Sequence, residues 1–195
     1  MASLEQLLAR AHAATGHGTV YWIGTGGRDP NAALPSAPTS VGAIWPGLPA
    51  DKKAEFAPLA QAAGIDVNDP TLLVQACDCS GFVLWALGME RQASGGAWIN
   101  TDTIWADAKG PQRHFQHIIP ARPGALVVYP MAGSHENFGH IGIVIEADAQ
   151  GRATLVAHCS ADNFGTAPND AIKITDAHKF EAQGASIYVW CRAVA

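Results

Sequence analysis

The chain of 195 residues carries 12 lysines and arginines against 17 aspartates and glutamates, a net charge of −5, and is 48% hydrophobic. That is enough apolar material for one buried core, and the acidic balance without a basic block argues against a nucleic-acid partner or a polybasic membrane patch. No run approaches the roughly 18 apolar residues of a membrane span, and four cysteines are too few for a disulfide scaffold.

In chain order, Ser3 and Gln6 form a capping-box pattern, and Leu4, Leu7, Leu8, Ala11 and Ala14 share one helical face, predicting a helix over about 3–15. The opening segment "MASLEQLLARAHAATGHG" lacks a basic leader and a cleavage motif, so no secretory signal is expected there. Residues 28–49 are rich in Pro, Ala, Ser and Gly and predict a long surface loop. Helices are expected around Glu55–Ala63, from an Asp69 cap with Pro70 at the first helical position, from Cys79 to Gly88, and from an Asp102 cap to Lys109. After Gly110 the pattern changes to strands: "HFQHII", "ALVVY", "HIGIVIE", "ATLVAH", "AIKI" and "SIYVWCRAV". Helices followed by an antiparallel sheet of about five or six strands predict a single α+β domain over 1–195.

The chemistry concentrates in "CDCSGF" at 77–82. With Asp78 as cap, Cys79 falls in the first turn of its helix, where free backbone amides and the positive end of the dipole favour a thiolate. Asp78 opposes this, so the thiol needs a cationic partner or a base. Alternation in "GHIGIVIE" puts His140, Gly142, Val144 and Glu146 on one strand face. Pairing through a loop at Ala147–Gly151 sets Glu146 opposite Arg152 and His140 opposite His158. Gly142 leaves open space beside His140 in that arrangement. A base and a group that orients it are then both at hand.

Other chemistries fit less well. Cys77, Cys79, His158 and Cys159 could ligate a metal, but Cys-x-Cys lacks the usual zinc spacing and adjacent His158 and Cys159 point to opposite strand faces. "HENFGH" at 135–140 misses the helical spacing of a zincin, and "GTGG" at 24–27 lacks the lysine of a phosphate loop. No metal or other cofactor is expected. Of the six tryptophans, Trp45 in the long loop is the one expected to meet a ligand.

"DCSGF" at 78–82, "PGALVVY" at 123–129, "GHIGIVIE" at 139–146 and "AHCS" at 157–160, in that order, resemble the NlpC/P60 superfamily of papain-like cysteine peptidases; "YWIGTGG" at 21–27 resembles its tyrosine-then-glycine segment. Ala125 stands where the family commonly has aspartate. The resemblance implies a papain-like fold with Cys79 as nucleophile, His140 as base and His158 as the orienting residue. It also implies that Tyr21 lines the site near the oxyanion, and that Asp78 and Ser80 hold the substrate's amine end. Residues 28–76 become an insertion, whether lid, wall or ornament. The implied activity is metal-free hydrolysis, through an acyl-enzyme, of peptide bonds in the stem peptides or muropeptides of bacterial cell wall, commonly between D-glutamate and a diamino acid. Acyl transfer or protein deamidation on the same scaffold, or a binding domain with a decayed site, are the alternatives. Without a signal peptide, the protein is expected to act in the cytoplasm or after export by a specialised system as a toxin, in which case an immunity protein is an expected partner. Cys77 is left as a buried neighbour or as one end of a disulfide with Cys159 or Cys191.

Overall fold

The computed structural model describes residues 2–92, 96–136 and 138–195. It opens with α1 (Leu4–Ala13), where Ser3 and Gln6 make the expected reciprocal capping box. Then come β1 (Val20–Tyr21), β2 (Ala37–Ser40), α2 (Val41–Ile44), a single 3₁₀ turn at Trp45–Gly47 and α3 (Ala50–Ala62). β3 (Leu73–Cys77), α4 (Cys79–Ala86) and α5 (Thr101–Lys109) complete the first half. The second half runs β4 (Phe115–Ile118), β5 (Leu126–Tyr129), β6 (His140–Ala147), β7 (Ala153–Cys159), α6 (Ala161–Phe164), β8 (Ile172–Asp176), α7 (His178–Glu181) and β9 (Ile187–Cys191).

The second half forms one antiparallel sheet of six strands in the order β4-β9-β5-β6-β7-β8, so the α+β class and the sheet stand as expected. α4 is buried along its whole length, because "CSGFVLWA" has no polar face to give to solvent. It packs on the sheet face that carries Ile141 and Ile143, and this forms the main core. The opposite face is covered too, by a smaller cluster of Val127, Tyr129, Val144, Val156 and Phe180. No helix among the described residues is long and apolar enough to cross a membrane.

The first half departs from the sequence expectations. It is mainly helical, with α1–α5, but it also holds strands that were not expected: β1, β3 and β2 form a second, three-stranded sheet, with β1 parallel and β2 antiparallel to β3. Two of its strands replace expected loop and helix. Residues 37–47 are ordered as strand, helix and turn. The helix expected from Asp69 is absent, because the Asp69 carboxylate accepts from the Thr71 amide and hydroxyl (2.8 and 2.6 Å) and turns the chain into β3. The cap of α5 is Asn100, not Asp102, with a reciprocal bond to Thr103.

Register in the β6–β7 hairpin is also corrected. Gly142 lies opposite His158 and Val144 opposite Val156, a shift of two residues from the expected pairing, with a bulge between Val144 and Glu146. The Asp148 carboxylate, which accepts from the Gln150 and Arg152 amides, holds the turn at Asp148–Arg152 instead of one residue earlier. An even shift keeps every side chain on its face, so His140 and His158 remain together as diagonal neighbours.

Candidate active site

Cys79 is the first residue of α4, and Asp78 caps that helix by accepting the Gly81 amide at 2.7 Å. Asp78 is buried and fully engaged. One carboxylate oxygen takes the Gly81 amide and the Ser80 hydroxyl (3.1 Å); the other takes the Gly24 amide (2.7 Å) and the guanidinium of Arg91 (2.5 Å). Arg91, only 2% exposed, also donates to the Ser80 hydroxyl and to the carbonyls of Thr25 and Gly26, beneath the Trp98 ring at 4.4 Å. A β-carbon at Gly81 would stand 2.6 Å from the Thr25 carbonyl oxygen and 2.8 Å from Arg91, so only glycine admits this arrangement. Sequence reasoning missed Arg91. The signal was present: it is the only lysine or arginine between Lys53 and Lys109, and a buried carboxylate in that stretch requires a cation.

The thiol is not the poised thiolate expected from its helix position. Burial, then the charge of Asp78, push it up to about 12, against the pull of Arg91 and of the Ser80 and Ile141 backbone amides. Ile141 follows His140 directly, so β6 passes the sulfur at the residue next to the expected base. No hydrogen bond joins Cys79 to His140 among the described residues.

His140 and His158 are buried and bonded, Nε2 to Nδ1, at 2.8 Å. His140 stacks on Phe180 with ring centroids 5.2 Å apart, and β8 supplies Thr175, whose hydroxyl lies 2.9 Å from His158 Nε2. The bonding fixes the tautomers. Thr175 donates onward to the Asp176 carbonyl (3.1 Å), so its oxygen accepts from His158 Nε2–H. His158 Nδ1 then accepts from His140 Nε2–H, which leaves His140 Nδ1 as the unprotonated nitrogen. Asn163 gives its amide protons to the His158 and Ala171 carbonyls (3.1 and 3.0 Å) and lies farther, 3.5 Å, from His158 Nε2. Both rings are held neutral. Burial, then His158 and Lys179, hold His140 well below 6.5; burial, then Lys179, bring His158 to about 4. The space expected beside Gly142 is filled, since a β-carbon there would meet Val156 and stand 3.1 Å from the His158 β-carbon.

A cleft of about 290 Å³ opens onto Cys79, lined also by Tyr21, Lys52, Arg91, Trp98, Asp102 and Phe138. Tyr21 reaches it because β1 runs beside β3, pairing Tyr21 with Cys77. Burial and the neighbouring Cys79 and Asp78 hold its phenol protonated, well above the ordinary value. Lys52 brings α3 to the cleft wall, so the expected insertion contributes to this site. Trp45 does not: it packs against Trp22 at 6.1 Å, and the cleft tryptophan is Trp98. All four cysteines are free. Cys77 donates to the Asp78 carbonyl, Cys159 to the Cys77 carbonyl (both 3.3 Å), and Cys191 lies 3.6 Å from the Met89 sulfur.

The chain gives no significant match among curated proteins or solved structures. Residues 71–159 match the family model of the CHAP domain. That segment runs from the start of β3 to the end of β7 and holds Cys79, Arg91, His140 and His158. Residues 71–159 are therefore similar to a CHAP domain, a papain-like cysteine peptidase and amidase domain related to NlpC/P60 and found in cell-wall hydrolases.

Proposed function

We propose that the protein is a cysteine peptidase that hydrolyses an amide bond in the peptide stem of peptidoglycan, with the bond between D-glutamate and a diamino acid as its target. Cys79 is the nucleophile, His140 the base and His158 the residue that orients it. The observation that carries this reading is the bonded line from Thr175 through His158 to His140, on the strand whose next amide faces the Cys79 sulfur.

In this mechanism the resting pair is neutral. A thiol pushed up to about 12 beside an imidazole held well below 6.5 disfavours the separated ion pair. Proton transfer therefore accompanies attack: Cys79 Sγ adds to the carbonyl carbon as His140 Nδ1 takes the thiol proton, and His158 and Thr175 stabilise the resulting imidazolium by accepting along the line. The tetrahedral intermediate expels the amine, which receives that proton, and leaves an acyl-cysteine. Water, activated by the same imidazole, then hydrolyses the thioester. Tyr21, which lines the cleft with its phenol held protonated, is the donor to the developing oxyanion in this reading.

The test is to incubate wild type and Cys79→Ala with purified peptidoglycan fragments and to resolve products by mass spectrometry. New stem-peptide ends appear with wild type alone; folded wild type that releases none overturns the proposal.

A further inference from the structure

Within the peptidase reading, one implied role meets an obstacle in the geometry. Asp78 and Ser80 would hold a substrate ammonium, which demands an open carboxylate. An ionised carboxylate has about four lone-pair sites, and Asp78 already receives four donors: the Gly24 and Gly81 amides, the Ser80 hydroxyl and Arg91. Its side chain is 4% exposed, and the charge is met by a guanidinium that is itself 2% exposed. Ser80, itself 3% exposed, spends its hydroxyl proton on Asp78 and accepts from Arg91. An incoming ammonium would have to evict Arg91 from the Thr25 and Gly26 carbonyls and from beneath Trp98, and would leave a buried cation without its partner. The remaining charged side chains of the cleft, Lys52 and Asp102, are of opposite sign.

We propose that Arg91 closes the acidic pocket at the head of α4 from inside the protein, so that the cleft takes acyl donors whose amino end is blocked and gives no advantage to a free ammonium. Arg91 thus acts as a specificity-determining residue through Asp78. The substrate class is a stem peptide still capped at its amino end, by a sugar acid or by another acyl group.

Two measurements test this. The first needs no peptidase activity: rates of Cys79 modification by aminoethyl methanethiosulfonate, which carries an ammonium, and by its uncharged methyl analogue. Wild type and the Asp78→Asn/Arg91→Met double variant give the same cationic-to-neutral rate ratio within about twofold, because neither shows the cleft a net charge at this pocket. Arg91→Met alone, where it folds, raises the ratio about tenfold. A wild-type ratio fivefold or more above that of the double variant overturns the proposal. The second compares wild-type kcat/KM on one stem peptide with a free or an acetylated amino end. Values within about threefold support closure, and a tenfold preference for the free amine overturns it. If neither peptide is cut, the peptidase reading falls and the reagent ratio alone decides the closure.

Discussion

The two halves of the candidate site solve one problem in opposite ways. At the head of α4 a buried carboxylate keeps its charge by taking a guanidinium and saturating every lone pair. On β6 and β7 two buried imidazoles stay neutral and satisfy each other in a line of single hydrogen bonds. Both avoid an unpaired buried charge, the costliest outcome in a low-dielectric interior. The charged solution ties both partners into a fixed set of hydrogen bonds. The neutral one holds a proton acceptor in reserve, which a hydrolase needs. Scaffold and reagent are thereby divided between two kinds of electrostatics.

The sharpest break in the comparison is loss of the base. His140→Ala is expected to lower kcat by three to four orders of magnitude, measured by product release from a stem peptide, while the thermal transition persists. Retained activity would remove His140 from the chemistry. Breaking the charged half acts on folding instead: Arg91→Met strands Asp78 and is expected to cost about 3–5 kcal/mol in urea unfolding, much of it recovered in the Asp78→Asn/Arg91→Met double variant.

The neutral half predicts a pH dependence. An unfolded histidine titrates near 6.5 and folded His158 near 4, so between these values the unfolded chain binds the extra proton and stability rises with pH. Acidification from pH 6.5 towards 4 should remove about 3 kcal/mol through His158, and His158→Gln should flatten that slope. An unchanged slope in the variant would show that His158 is not buried neutral. The smallest effect belongs to the end of the line: Thr175→Val should lower kcat about fivefold with little change in KM, at a stability cost of about 1 kcal/mol. A change confined to KM would place Thr175 outside the relay.

The second half of the fold was legible because each of its strands is an alternating or continuous apolar run bounded by turn residues. The residues proposed as nucleophile, base and orienting group stood out for the same reason: Cys79 follows a capping aspartate, and the histidines sit on strands whose period fixes their face. What escaped depended on partners distant in sequence. β3 looked like the start of a helix because Asp69 and Pro70 resemble a cap, and its pairing with β1 and β2 overrode local preference. The hairpin register was two residues off because the Asp148 turn, set by side-chain acceptance, is invisible to hydrophobic alternation. Burial raised the Cys79 thiol, and the sequence at a helix start carries no measure of depth. Arg91 was readable only by charge accounting, as the lone cation of a long segment that holds a buried acid.

The parallel pairing of β1 with β3 has a thermodynamic consequence for the long segment between them. Tyr21 and Cys77 are paired across the sheet, so residues 22–76 leave the cleft and return to it as a closed excursion. The entropy of closing such a loop grows only with the logarithm of its length, about 0.6 kcal/mol for each doubling. Lengthening the excursion therefore costs the fold little, while each added residue is another opportunity to place a side chain, as α3 places Lys52, on the rim of a site whose two ends stay fixed.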